Sequence, residues 1–138
     1  MEEAKRLYDE YINYDLAMLL KNHGFDEYCI FRYVFKVLTP PAGGIISWYK
    51  NSKLQEEDVC TAPSYYQILV WLREKHNLCI YILPKKEGDE NWGAGVCYYD
   101  NGDDARVDPK DTITGETFEE CLENAIEYCL TNNLLSEE

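Results

Sequence analysis

Apolar residues recur at helical spacing in three segments of the chain, and these segments predict three helices. The first segment is residues 3 to 22, and Gly24 follows it at a position that commonly ends a helix. The second segment is residues 64 to 76, and it is followed by Asn77, which tolerates the left-handed backbone needed at a helix end. Both helices are therefore followed by a residue suited to a change of chain direction.

The third segment has the most regular pattern. Its apolar residues recur at i, i+3, i+4, i+7, i+8, i+11 and i+12, which predicts one apolar stripe along a helix. The residues of that stripe are Phe118, Cys121, Leu122, Ala125, Ile126, Cys129 and Leu130. The opposite face carries four glutamates, which are Glu119, Glu120, Glu123 and Glu127. We expect this helix to bury its stripe against a sheet and to present an acidic outer face.

Polar residues predict where the second and third helices begin. Ser64 and Gln67 have the spacing of a capping box, in which each side chain bonds a backbone N–H group of the other residue. Thr117 and Glu120 have the same spacing. Two helix starts are therefore defined by short polar motifs.

In the first half of the chain, two segments have the pattern of strands. Residues 28 to 38 alternate between two classes of side chain, which predicts one strand with a single buried face. The side chains assigned to that face are those of Phe31, Tyr33, Phe35 and Val37. After the break at TPPAGG, residues 45 to 50 are interpreted as a second strand that pairs back on the first.

In the second half of the chain, residues 78 to 83 form an apolar run that predicts a buried or half-buried strand. Residues 92 to 100 predict another strand, in which two glycines indicate a bulge or weaker pairing. The Asn101-Gly102 pair is a strong hairpin signal, so residues 105 to 107 are predicted to return along that strand.

The order of these elements predicts the fold class. Helix, two strands, helix, three strands and helix is the order of an α+β domain, with two or three helices packed on one face of a mainly antiparallel sheet of four to five strands. A length of 138 residues favours a single domain over residues 1–138.

The charge balance restricts the partners that are expected. The chain has 26 acidic and 13 basic residues and a net charge of −13, whereas nucleic-acid binding needs basic surface that displaces counterions from phosphates. We therefore expect no direct nucleic-acid binding and no affinity for anionic membranes. The sequence has no apolar run of membrane-spanning length and no apolar stretch of signal-peptide type at its start, so we expect it to remain where it is made.

Six cysteines lie within periodic segments, and we expect all six to be reduced thiols. Cys60 precedes a helix start, but His76 lies about 18 Å away at the other end of that helix, so the two residues make a poor catalytic dyad. Cys121 and Cys129 are about 12 Å apart on one helix face, which fits core packing better than a metal site. We predict no catalytic residue, no bound cofactor and no metal ligand.

Aromatic residues are 14% of the chain, more than one small core easily accommodates. Core packing is the simpler interpretation of any single ring, but exposed aromatic side chains within a polar rim are typical of contact sites. Together with the acidic hairpin tip, these rings predict a contact surface, whose candidate residues are Trp48, Tyr49, Trp92, Tyr98, Tyr99, Asp100, Asp103 and Asp104.

Several segments, taken in order, carry a resemblance to a known family. They are HGFDEYC, WYKNS, CTAPSYYQILVWLREKHNLCIYI, WGAGVCYY and TFEECLENAIEYCL, of which APSYYQILVWLREKH is the most specific. Together they resemble a family of small uncharacterised proteins from bacteriophages and mobile elements of Bacteroides-type gut bacteria. The resemblance implies the cytoplasm of a bacterial host cell and an accessory role, and it transfers no catalytic residue. TPPAGG and GAG depart from the family's pattern.

These features favour a non-enzymatic accessory protein that acts by contact with a host or phage protein. A sharper version of the hypothesis is that its acidic face imitates nucleic acid and inhibits a host DNA-binding or defence protein. A small enzyme with a cysteine or carboxylate site is one alternative. A virion or assembly component, which would form a homo-oligomer, is another.

Overall fold

In the residues that the computed structural model describes, the chain forms three α-helices, one short 3-10 helix and seven β-strands. The described residues are 11 to 40, 48 to 84, 88, 90 to 100, 103 to 107, 113 to 132, 134 and 135, with the backbone alone described at 99, 100 and 103 to 107. They group into an N-terminal unit within residues 1 to 68 and a C-terminal unit within residues 69 to 138.

The N-terminal unit contains a three-stranded antiparallel sheet. Its elements are α1 (Tyr14–Asn22), β1 (Arg32–Val34), β2 (Val37–Thr39), the 3-10 helix (Asn51–Lys53) and β3 (Val59–Thr61). Strand β1 is central, with β2 on one side and β3 on the other. Helix α2 (Tyr65–His76) begins in this unit and continues into the next.

Helix α1 is shorter than the predicted segment of residues 3 to 22. Asn13 caps it by accepting a hydrogen bond from the Leu16 amide at 2.9 Å, so the helix starts at Tyr14. Tyr11 instead forms a β-bridge with Ser64, and the predicted part before Tyr11 lies outside the described residues. The predicted end is confirmed, because Gly24 has a positive φ of 90°.

Lys21, in the last turn of α1, joins this helix to the loop that precedes β3. Its ammonium group donates hydrogen bonds to the carbonyl oxygens of Leu54, Glu56 and Val59, at 2.8, 3.3 and 2.6 Å. One side chain thereby ties the end of α1 to the loop and to the first residue of β3, through three backbone acceptors.

The single strand predicted over residues 28 to 38 is wrong, because the chain reverses within it. Phe35 and Lys36 have positive φ angles of 50° and 68° and form the two-residue turn between β1 and β2. Tyr33 is buried as predicted, but Phe35 and Val37 are 71% and 62% exposed. The alternation of the sequence is the same in a hairpin as in one long strand, and the turn lacks the usual Gly or Asn.

The C-terminal unit contains a four-stranded antiparallel sheet. Its elements are β4 (Leu78–Leu83), β5 (Trp92–Asp100), β6 (Asp103–Val107), β7 (Ile113–Gly115) and α3 (Phe118–Thr131). Strand β5 pairs with β4 along one edge, while β6 and β7 share its other edge. The bounds of β4 and β5 are those predicted, and the hairpin between β5 and β6 is confirmed by their register.

Helix α3 packs on β4, β5 and β7. Thr117 caps it by accepting a hydrogen bond from the Glu120 amide at 3.0 Å. The predicted stripe is buried at Cys121, Leu122, Ala125, Ile126, Cys129 and Leu130. Phe118 is the exception, since it is 42% exposed and its ring contacts Trp92 edge-to-face.

The α+β class is confirmed, and the strands lie in two antiparallel sheets, so the predicted single sheet of four to five strands is not confirmed. Strands β3 and β7, each three residues long, were not predicted. The prediction of one domain over residues 1–138 stays a prediction. Among the described helices, none has both the length and the apolar character that a membrane span requires.

Candidate functional site: an aromatic cleft and an acidic helix face

A single β-bridge builds the candidate site of the N-terminal unit. Cys29 and Tyr49 exchange two backbone hydrogen bonds, at 2.8 and 2.7 Å, so Tyr28 and Lys50 come to lie opposite each other across the bridge. Trp48 is the diagonal neighbour of Tyr28 on the same side, because side chains alternate along extended backbone. Cys29 points to the other side and is fully buried.

Tyr28 and Trp48 line an apolar cavity of about 370 Å³, which we call the Tyr28–Trp48 cleft. The two residues are 48% and 55% exposed. The cleft is large enough for one or two side chains of another molecule, since ligand pockets of this class start at about 300 Å³.

Two lysines border the cleft. The Lys50 ammonium lies 4.8 Å from the centre of the Tyr28 ring, and the Lys53 ammonium lies 5.8 Å from it, so both are within cation–π distance. Lys50 also approaches the Asp26 carboxylate at 3.9 Å. The cleft therefore combines an apolar floor with two ammonium groups at its edge, one of them beside a carboxylate.

Side-chain hydrogen bonds to the backbone hold the two sides of the cleft in place. The Asn51 side chain donates to the Phe25 carbonyl at 2.7 Å and accepts from the Thr61 amide at 2.9 Å. The Nε2 group of the Gln67 side chain donates to the Tyr28 carbonyl at 3.0 Å, in an exposed hydrogen bond. Because Asn51 is only 7% exposed, both of its bonds are shielded from water, which favours one fixed position for the cleft.

The arrangement is suited to binding rather than to covalent chemistry. An apolar side chain of another molecule that entered the cleft would remove the two rings from water, and carboxylates beside that side chain would face the two ammonium groups.

No protein-family model, curated protein or solved structure matches this chain.

The predicted contact residues are divided between the two units. Trp48 lines the cleft, whereas Tyr49 is half-buried with the Arg32 guanidinium 4.6 Å above its ring. In the C-terminal unit Trp92 packs against Phe118, and the Tyr98 hydroxyl donates to the Leu134 carbonyl at 3.0 Å. These four rings therefore do not form one patch within either unit.

The remaining predicted residues lie at the end of the β5–β6 hairpin. Tyr99 pairs with Asp104 and Asp100 pairs with Asp103 in the backbone register, so the hairpin brings these four residues to one end of the sheet. Their side chains are outside the described part of the structure. Their role in contact stays a prediction.

The acidic face of α3, which consists of Glu119, Glu120, Glu123 and Glu127, is a second candidate surface. Three of these glutamates are exposed and Glu123 is half-buried. The helix contains no basic residue. Residues 69 to 138 hold 16 acidic and 6 basic residues, against 10 and 7 in residues 1 to 68, so most of the net negative charge belongs to the C-terminal unit.

The buried cysteines are poorly suited to nucleophilic chemistry. Burial raises the pKa of Cys29 to about 11 and that of Cys60 and Cys129 to about 12. The Lys21 ammonium lowers the pKa of Cys60, but by less than burial raises it. Since the thiolate is the nucleophile, these three thiols are protonated and unreactive at neutral pH.

No metal centre is visible in the described residues, because no three histidine, cysteine, aspartate or glutamate side chains converge there.

The sequence indicated Trp48 as a contact residue, but it did not indicate the other residues of the cleft, which are Tyr28, Lys50 and Lys53. The segment from Trp48 to Lys53 holds two aromatic and two basic residues, and this mixed composition was the available signal.

Proposed function

We propose that this protein is a non-enzymatic accessory protein of a bacteriophage or mobile element, and that it acts in the host cytoplasm by binding another protein. The observation that carries the proposal is the Tyr28–Trp48 cleft. Two aromatic side chains, each about half exposed, are held there in a fixed position and are bordered by two lysines. Exposed aromatic residues of this kind are the usual centres of protein–protein contacts.

The chemistry of the cleft defines the partner that fits it. The cavity is lined by rings, so it accepts an aliphatic or aromatic side chain. Lys50 and Lys53 complement acidic residues beside that side chain. We therefore expect a partner segment in which an apolar residue is flanked by aspartate or glutamate.

Affinity capture with cleft variants tests the proposal. The tagged protein, Tyr28→Ala and Trp48→Ala are each used to capture proteins from an extract of the bacterial host, and the captured proteins are identified by mass spectrometry. The affinity of the purified partner is then measured for each variant. Phe35→Ala is the matched control, because it removes a ring that is even more exposed, at 71%, from the turn between β1 and β2.

We expect one partner to bind the wild-type protein and Phe35→Ala with equal affinity. Either cleft variant should weaken its binding by at least about tenfold, since truncation of a central aromatic residue commonly costs about 2 kcal/mol. Lys50→Glu should weaken it further by opposing the acidic flank. Capture of the same partner with unchanged affinity by both cleft variants would contradict the proposal.

Nucleic-acid mimicry by the acidic face of α3 is a second candidate function. Glu119 and Glu127 lie about 12 Å apart along the helix axis, and the face holds four carboxylates within that length. One DNA strand carries about one phosphate per 3.4 Å of axis, so the linear charge densities are comparable. This similarity favours a basic, DNA-binding partner.

The triple variant Glu119→Gln, Glu120→Gln and Glu127→Gln separates this function from the first. We expect it to lose binding to a DNA-binding partner, and we expect wild-type binding to weaken steeply between about 50 and 200 mM salt. Glu56→Gln with Glu57→Gln is the control, because both residues are exposed acids of the N-terminal unit. Binding that does not change with salt would remove the mimicry hypothesis.

The experiments also distinguish the alternatives. A stable homo-oligomer in solution that depends on Tyr28 and Trp48 would identify a second copy of the chain as the occupant of the cleft and favour an assembly component. Turnover of a small molecule by the purified protein would favour the enzyme and contradict the non-enzymatic function.

A further inference from the structure

We propose that Cys79 and Cys97 form an oxidisable dithiol, a modification site that reacts with low-molecular-weight disulfides. The observation is their register. Cys79 of β4 and Cys97 of β5 are directly opposite each other in an antiparallel pair. Opposite residues have Cα atoms about 4.5 to 5.5 Å apart, and this range lies within the 4.4 to 6.8 Å that a disulfide spans.

Both thiols are on the same face of the sheet and both are half-buried. The neighbouring positions Leu78 and Val96 point to the other face and are fully buried. On the cysteine face the next pair is Tyr81 and Gly95, and the Tyr81 ring lies over Gly95 while remaining 36% exposed. A small reagent can therefore reach this face beside the tyrosine.

The other four cysteines lack this arrangement. Cys60 is opposite Tyr33 and Cys29 is opposite Tyr49. These two thiols are close enough to interact electrostatically, but both are fully buried and out of reach of a reagent in solution. Cys121 and Cys129 are separated by about 12 Å along α3, which is too far for a disulfide. Cys79 and Cys97 are therefore expected to be oxidised selectively, because they lie opposite each other in the sheet and a small reagent can reach them.

The reaction is two thiol–disulfide exchanges. The thiolate of one cysteine attacks the reagent, which releases one small thiol and leaves a mixed disulfide. The second cysteine, after losing its proton, attacks the protein sulfur of that mixed disulfide and releases the second small thiol. The pair loses two protons and two electrons, and the reagent takes them up as it is reduced to two thiols.

Oxidised glutathione is the probe, and the readouts are intact mass, the count of alkylatable thiols and peptide mapping. The wild-type protein should lose two hydrogen atoms, fall from six alkylatable thiols to four, and give one cross-linked peptide pair joining Cys79 to Cys97. Cys79→Ser and Cys97→Ser should each keep a glutathione adduct on the remaining cysteine, because the second exchange is blocked. Cys121→Ala should behave as the wild type.

Three outcomes would overturn the proposal: six thiols in the treated wild-type protein, glutathione adducts without a cross-link, or a cross-link between other cysteines. The wild-type peptide map requires no variant to fold. The proposal does not rest on the Tyr28–Trp48 cleft, because neither cysteine is among the residues that line it.

Discussion

At the scale of single residues, glycines of the C-terminal unit differ sharply in what surrounds them. A Cβ atom on Gly115 would overlap the backbone nitrogen and Cα of Cys121, at the start of α3. A Cβ atom on Gly93 would meet only the Leu83 Cβ, at 4.0 Å. Gly115 is thus required by the close approach of β7 to α3, whereas Gly93 has room for a methyl group.

We expect Gly115→Ala to lower the free energy of unfolding by on the order of 3 kcal/mol, because the overlapped atoms belong to backbone and cannot rotate away. Gly93→Ala should change it by less than about 0.5 kcal/mol. Denaturant titration of both variants measures the difference. Equal stability of the two variants would show that β7 and α3 can separate without cost.

The cleft shows what sequence reveals about single residues. Trp48 could be selected because the chain holds more aromatic residues than one small core easily accommodates, which predicts that some rings lie in a contact surface. Tyr28 could not, because it becomes the neighbour of Trp48 only through the bridge between Cys29 and Tyr49. One isolated pair of residues, distant in the sequence, leaves no periodic pattern that alternation could detect.

At the scale of elements, the end of α2 depends on one backbone conformation. Asn77 has a φ of 55°, which confirms the left-handed geometry expected of it, and the next residue, Leu78, already belongs to β4. This conformation costs about 1 to 2 kcal/mol for a residue that has a Cβ atom but lacks a short polar side chain able to form a local hydrogen bond.

Asn77→Ala is therefore expected to destabilise the protein by about 1 kcal/mol, while Asn77→Gly should be nearly neutral because glycine adopts positive φ freely. Thermal unfolding of the two variants tests this. A glycine variant as unstable as the alanine variant would mean that the Asn77 side chain, and not its φ, matters.

Elements were predicted best where local chemistry marks their ends. The capping box of α2 is present in both directions, with Ser64 and Gln67 bonding each other's backbone amides at 3.0 and 3.2 Å. Strands β4 and β5, of six and nine residues, are long enough for their composition to be typical of strands. Strands β3 and β7 are too short for any period, and the turn at Phe35 and Lys36 uses residues that normally avoid positive φ.

At the scale of the whole molecule, buried thiols link stability to pH. The folded-state pKa of Cys29, Cys60 and Cys129 is about 11 to 12, above the ordinary thiol value of about 8.5. Between these values the unfolded chain binds fewer protons than the folded chain. The stabilisation that these protonated thiols give the folded state is therefore complete below about pH 8.5, and it is lost as the pH rises toward 12.

We expect the free energy of unfolding to fall above pH 9 by up to about 1.4 kcal/mol per pH unit for each of these thiols. Denaturant titrations at several alkaline pH values measure the slope. Cys129→Ala should reduce the slope, whereas Leu130→Ala, a buried neighbour that does not titrate, should lower stability at every pH and leave the slope unchanged. An unaltered slope in Cys129→Ala would assign the effect to other groups.

The separation of the two sheets has a consequence for how the chain is made. Every strand pairing among the described residues joins strands of the same half of the chain. A nascent chain that has just incorporated Thr61 already contains β1, β2 and β3, before any residue of β4 exists. Since growing chains fold from their N-terminal part first, all the strand partners of the first sheet leave the ribosome before those of the second.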